Sequence, residues 1–314
     1  MKALQQIIRR VAENPCRSWA LATLVQTQGS TYRKPGARLL VDSDGGTLGV
    51  LSGGCVEEEI ARHGQKVIAD ASPVLLSFDT RRLYGCDGRL DIFVERIPEA
   101  GQNGNLITDI ARVLKDRELC RLRTCFQGEA LGSELLTFDA LVAERAGVFI
   151  HTVPLPVRLL LFGTGPEIEP LTELGANLGW IIERFGHPSE LAEDFRLDAQ
   201  TAAVIATHNF GRDLVALDRL LPLQIPYVGL LGPRKRHADL LARLSEHRPA
   251  DFDGGFRTLF APAGLDIGSE APEEIALSIV SEVAGVLSKR RGGFLRERRS
   301  DIHTTVTTAS EEAA

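Results

Sequence analysis

The chain lacks any Cys-x-x-Cys pair: its five cysteines, Cys16, Cys55, Cys86, Cys120 and Cys125, are scattered and odd in number. That spacing excludes a disulfide framework and a zinc knuckle and leaves free thiols. Cys16, Cys120 and Cys125 read as small buried hydrophobes. Also missing is any run of the roughly 18 apolar residues that would span a bilayer. A strong charge of either sign is absent too, since 36 basic and 42 acidic side chains leave a net charge of −6. So small a surplus sets up no general field for nucleic acid or an anionic membrane. Neither is therefore expected as a partner, and a cytoplasmic location is expected. An anionic ligand would need a local basic site.

What is present is ordinary globular material: 44% hydrophobic and 25% charged residues over 314 positions, a length that suggests two domains. Leu4, Ile7, Ile8 and Val11 recur at helical spacing, and Asn14-Pro15 stops that helix before the apolar strand Trp19 to Val25. Strands are expected at Arg38 to Val41 and Thr47 to Leu51 around the Asp44-Gly45-Gly46 turn, then a helix from Val56 to Ala71. Strands at Val74 to Phe78 and Arg89 to Glu95, a helix at Ile107 to Lys115, and strands near Arg121 to Phe126 and Ala146 to Ile150 complete an α+β first domain, 1–151. Pro154 and Pro156 mark 152–156 as an extended linker. From Val157 the chain alternates strand and helix, which implies a Rossmann-like, doubly wound parallel sheet over 157–290. A basic and then disordered tail is expected over 291–314.

Two glycine loops carry the chemistry. In the second domain a strand runs into Gly163-Thr164-Gly165, the opening of a dinucleotide fingerprint. Ile168 stands where the third glycine belongs, and Glu167 and Glu169 bring negative charge to the first turns, where a pyrophosphate would be repelled. Phe185-Gly186-His187 offers no acidic residue for a ribose. NAD(P) is therefore not the expected cofactor, although an NAD(P)-dependent oxidoreductase using this loop, with His208 as acid or base, is the competing reading. Gly232-Pro233-Arg234-Lys235-Arg236 sets three cations at a helix start, suited to a phosphate or equally to a solvated face.

In the first domain, Ser52-Gly53-Gly54-Cys55 puts a thiol just ahead of a helix, where the dipole favours thiolate. The thiol is either reactive or ligating, or simply packed beneath a glycine turn. Gly29-Ser30-Thr31-Tyr32-Arg33-Lys34-Pro35-Gly36-Ala37-Arg38 offers hydroxyls and cations for an anion, and the two loops flank one hairpin.

Those two segments, Gly29 to Arg38 and Gly53-Gly54-Cys55-Val56-Glu57, resemble the first domain of the XdhC/CoxI family, as does Gly85-Cys86-Asp87-Gly88-Arg89. Phe162-Gly163-Thr164-Gly165, Thr207-His208, Gly229 to Lys235 and the Gly264 to Ala276 segment resemble its Rossmann-like domain, in the same order. The resemblance implies a molybdenum-cofactor chaperone, a factor of delivery and not of turnover. It would protect molybdopterin-bound molybdenum while a cysteine desulfurase sulfurates it, and insert it into a xanthine dehydrogenase-type molybdenum hydroxylase. A homodimer is also implied. Cys55 becomes the cofactor contact and a molybdenum contact, with Ser52, Gly53, Gly54 and Cys86 beside it. Ser30, Thr31, Arg33, Lys34 and Arg38 would meet the cofactor's phosphate. In the second domain Gly163, Gly165, His208, Arg234 and Lys235 would form a further wall. This chain departs from the family pattern at Ser52, Asp87, Pro166, Gly186, His187 and Phe210, mostly in the second domain.

Overall fold

In the computed structural model the described residues are 1–298 apart from 30, 55, 80–87, 101, 103, 144, 193–194 and 248–256. Two compact units divide the chain, Met1–Leu155 and Pro156–Ala314. Among the described residues no helix is long and apolar enough to cross a membrane.

The first unit holds helices α1 (Lys2–Glu13), α2 (Glu57–Asp70) and α3 (Leu106–Lys115) with strands β1 (Trp19–Gly29), β2 (Arg38–Val41), β3 (Thr47–Gly49), β4 (Val74–Asp79), β5 (Gly88–Ile97), β6 (Cys120–Cys125), β7 (Gly132–Thr137) and β8 (Val148–Val153). A five-stranded antiparallel sheet runs β3-β2-β1-β5-β4, and a three-stranded one runs β7-β6-β8. β1 is buried from Trp19 to Val25, with Thr23 as the one polar residue of that stretch, because both of its faces are covered. Ala20, Ala22 and Leu24 join Ile60 and Val67 of α2 in one core, while Trp19 and Leu21 join Ile7 of α1, Ile110 of α3 and Leu122 of β6 in another. Each fully buried Leu or Ile contributes about 1.5–3 kcal/mol.

The second unit is a parallel sheet in the order β10-β9-β11-β12-β13, from β9 (Arg158–Phe162), β10 (Ile181–Phe185), β11 (Thr201–Ile205), β12 (Tyr227–Leu230) and β13 (Leu259–Phe260). Helices α5 (Phe210–Leu220) and α6 (Arg234–His247) cover one face, and α4 (Ile168–Leu178) and α7 (Pro272–Leu287) the other. The mixed α/β class with a Rossmann-like second half is thus as the sequence implies. The order reverses between β9 and β11, so the crevice at their C-terminal ends is the switch point where ligands sit in such folds.

Several boundaries differ from expectation for identifiable reasons. β1 continues to Gly29 because Gln26 to Gly29 pair with Asp91 to Gly88. β7 was not anticipated, since its half-buried Gly-Ser-Glu-Leu-Leu-Thr has no clean alternation. Thr152 and Val153, assigned to the linker, instead end β8, where they pair with Arg121 and Cys120. α5 begins at Phe210 and not Leu214, because the Asn209 side chain accepts from the Arg212 N–H and caps it. In the expected tail, Leu295–Glu297 form a short 3-10 turn, and 299–314 lie outside the described residues.

Gly163 is compelled by this topology. Its φ is +131°, and a Cβ there would stand 2.2 Å from the Ala206 carbonyl oxygen. Gly163→Ala is expected to destabilise the second unit by about 3 kcal/mol, combining a left-handed backbone cost with overpacking. Denaturant unfolding followed through Trp180 should show that loss while the transition at Trp19, in the first unit, stays in place.

Candidate functional site

The loop that precedes α2 is organised by one carboxylate. Glu57 Oε1 accepts hydrogen bonds from the backbone N–H groups of Leu51 (3.0 Å) and Ser52 (2.8 Å). Its Oε2 accepts from the Ser52 hydroxyl (2.7 Å) and from the N–H groups of Gly54 (3.0 Å) and Val56 (3.1 Å). Partial burial works to raise the Glu57 carboxyl, but the bonds from Ser52 and Leu51 outweigh it and hold it at about 2. The loop can wrap this carboxylate because Gly53 and Gly54 take φ of +82° and +111°. Sequence reasoning placed Glu57 only as a first-turn acid that suits the helix dipole. The signal for its larger role was its spacing, directly behind Gly53-Gly54-Cys55-Val56.

The facing of the two loops expected from the sequence has one contact behind it: the Tyr32 ring lies 4.0 Å from where a Gly53 Cβ would stand. Tyr32, Arg33 and Lys34 are exposed, and the Thr31 hydroxyl donates to the Arg33 carbonyl at 2.9 Å. Ser52, Gly53 and Gly54 are therefore brought to the same place as the Gly29 loop. Ser30, Cys55 and Cys86 lie outside the described residues.

Arg38 does not belong to that exposed set. It is buried in β2, where its guanidinium donates to the Gly36 carbonyl (3.0 Å) and meets His151 Nδ1 (3.5 Å). The expectation of a ligand-facing Arg38 is corrected accordingly: as the first residue of β2 it pairs with Thr23 and is carried into the interior between the sheets. Burial lowers it to about 10, against the opposing pull of Glu95 and Cys120. Burial raises the Glu95 carboxyl despite its bond from the Ser133 N–H (2.8 Å) and the charge of Arg38. Burial and Arg38 together press His151 down to about 4, so it is neutral at pH 7. Glu95 and His151 were invisible in the sequence, because only the fold brings residues so distant in the chain together.

At the switch point of the second unit, Gly163, Gly165 and His208 are indeed neighbours, but the room between them is filled. His208 Nε2 lies 3.1 Å from Glu167 Oε2, and Glu167 is buried. A Cβ on Gly165 would be 2.7 Å from both of those atoms. His208 holds this place with a φ of +52°. Beyond β10, the N–H groups of Gly186 and His187 are taken by Glu190 at 3.1 and 3.0 Å. Of the three cations opening α6, Arg236 is paired with buried Asp213, which also accepts from Thr207. Arg234 and Lys235 remain exposed. Among the described residues no group of three or more His, Cys, Asp or Glu side chains is placed to hold a metal ion.

Two outcomes follow from these geometries. Glu57 lies well below its unfolded value of 4.5, so the stability it contributes is complete above pH 4.5 and fades as pH falls toward 2. Glu57→Gln should remove that part of the acid dependence, read as Trp19 fluorescence against pH, and should speed amide exchange at Leu51, Ser52, Gly54 and Val56. Titrating the protein with NADPH should give no saturable fluorescence change, since the Glu167–His208 pair stands where a pyrophosphate would approach.

Comparison with known proteins agrees with this architecture. Residues 15–79 match the model of the XdhC and CoxI family, and residues 159–283 match the XdhC Rossmann domain. The chain is 28% identical to a Bacillus subtilis (strain 168) protein named as a probable subunit of xanthine dehydrogenase, over 84% of this chain and 91% of that one. It is 25% identical to the molybdenum cofactor insertion chaperone PaoD of Escherichia coli (strain K12), over 85% of this chain and 82% of PaoD. Uncharacterized protein YqeB of the same strain is 29% identical over 91% of this chain, which spans only 46% of YqeB. A crystal structure described as a xanthine dehydrogenase from Bacillus halodurans shares the fold, with a TM-score of 0.76 at 23% identity over 93% of this chain and 97% of that one. With one matching model on each unit, in the order the sequence motifs follow, the chain belongs to the XdhC and CoxI family.

Proposed function

We propose that this protein binds the molybdenum cofactor as cargo and inserts it into a xanthine dehydrogenase-type molybdenum hydroxylase. The observation that carries this reading is the Ser52 to Glu57 loop, pinned by the Glu57 carboxylate and facing Tyr32 of a cation-bearing loop. The names of the Bacillus subtilis relative and of PaoD favour the same role. Cys55 supplies a soft thiol to the metal end of the cargo, with Ser52, Gly53 and Gly54 allowing close approach and Cys86 as a second thiol. Ser30, Thr31, Arg33 and Lys34 take the phosphate. Glu57 is a positioning residue, setting the path of the chain on both sides of Cys55.

In the second unit Arg234 and Lys235, exposed at the start of α6, offer two cations to an anionic ligand group or to an acidic surface of the hydroxylase, independently of the first-unit loop. Gly163 and Gly165 shape the crevice, and His208 stands at its mouth. A cysteine desulfurase acting on the held cofactor, a homodimeric state and a cytoplasmic setting complete the proposal.

The test is cofactor retention. Protein loaded with molybdenum cofactor and passed through a desalting column is assayed for pterin by oxidation to a fluorescent product. Wild type is expected to retain it, Cys55→Ala to lose at least tenfold, and Glu57→Gln to fall between them. Equal and negligible retention in wild type and Cys55→Ala would overturn the proposal.

A further inference from the structure

The first unit contains a cavity of about 370 Å³ that none of the loops above accounts for. That volume lies in the range of about 300–1,000 Å³ usual for small-molecule sites. Its walls come from three segments that the fold brings together: Val25 and Gln26 of β1, Phe126 and Gln127 just after β6, and Arg145 to Phe149 leading into β8.

Each segment is shaped for this. The β1–β5 ladder shifts register between Leu24 and Gln26, so Val25 is an extra, unpaired residue that turns inward against Phe93 and Phe126. Gly147, with a φ of +79°, lets the approach to β8 press against Gln127, where a Cβ would meet the Gln127 side chain at 2.7 Å. The floor is apolar and aromatic: Val25 and Phe126 are buried and Phe149 packs beside them. The rim is polar: Gln26, Gln127 and Arg145 are exposed. Among the described residues their side chains have no hydrogen-bond or ion-pair partner.

The cavity also adjoins the loop already assigned to the cargo's phosphate. Phe149 stacks on His151 with ring centroids 6.0 Å apart, and the His151 ring stands 2.6 Å from where a Gly36 Cβ would be. Gly36 in turn donates its N–H to the Leu24 carbonyl (2.8 Å), beside the bulge. Loop, imidazole, Phe149 and cavity are thus contiguous.

We infer that this cavity is a binding site for a planar nitrogen heterocycle of the pterin type. Aromatic walls take the ring face. The two carboxamides each offer a donor and an acceptor, matching the alternating edge of such a ring. Arg145, which has donors only, takes the ring's carbonyl oxygen and neighbouring ring nitrogen, and the carboxylate where the ring carries one. A purely apolar ligand would leave that rim unused. The inference rests on the cargo reading and deepens it, because the molybdenum cofactor contains a pterin, and it names where that pterin goes.

The test uses the full-length chain and 6-carboxypterin as probe, followed by fluorescence anisotropy. Wild type should bind saturably. Arg145→Ala and Gln26→Ala, both at exposed positions, should each weaken binding at least fivefold and Phe149→Leu about tenfold, with Arg9→Ala on α1 as an unchanged control. Far-UV circular dichroism and Trp19 fluorescence establish that each variant is folded. No saturable binding, or equal binding in all variants, overturns the cavity assignment, while cofactor retention decides the cargo reading separately. Should retention fail while pterin binding still depends on Arg145 and Phe149, the cavity stands as a heterocycle site and the cargo is something else.

Discussion

The Glu57 carboxylate is the interaction on which the candidate site depends. A chain that leaves a strand, passes two glycines and enters a helix exposes several backbone N–H groups within one turn, and these must be satisfied somewhere. Here four of them, with the Ser52 hydroxyl, converge on the two oxygens of one side chain. The carboxylate costs some desolvation and recovers more from the convergent donors, which is why it stays ionised down to about pH 2. The result is that Gly53 and Gly54, residues with wide backbone freedom, are held in one path. A binding loop gains from such rigidity, since little ordering remains to be done when the ligand arrives.

The interior of the same unit is held by buried charged groups. Arg38 reaches across from the larger sheet toward His151 of the smaller one, with Glu95 on β5 balancing its charge and accepting from Ser133 on β7. Burying such groups is tolerable only where each meets a partner or an opposite charge. Their arrangement draws β2, β5, β7 and β8 to a common point, and His151 continues the line to Phe149 and the cavity that it lines. The Gly29 loop and the cavity are thereby parts of one framework.

The second unit keeps the crevice of a dinucleotide-type fold but fills it with its own side chains. The first two glycines of the dinucleotide fingerprint are present, and Gly163 is required by the approach of Ala206. Yet Glu167 and His208 occupy the space, and Glu190 takes the N–H groups at the end of β10. Asp213, Thr207 and Arg236 brace the loop after β11. The crevice is a strut between strand ends, and the outer cations Arg234 and Lys235 are left exposed.

Local chemistry was legible in the sequence: the α/β class, the alternating second half, the glycine loops and the family they resemble. Those features depend on periodicity, turn residues and short-range spacing, all of which are written along the chain. Even the Glu167 conflict with a pyrophosphate could be read from charge at a helix start. What only the tertiary structure decided were the partners of buried polar groups. Arg38 looked like one more cation of an exposed loop until its strand carried it inside to His151 and Glu95, and Arg236 until it met Asp213. β7 was not legible because its burial comes from pairing with β6 and not from its own pattern, and the cavity was not because its walls come from segments far apart in the chain. A residue's type and spacing determine what it can do, but the packing of distant segments determines whether it faces water, a ligand or another charge, and that choice sets its chemistry.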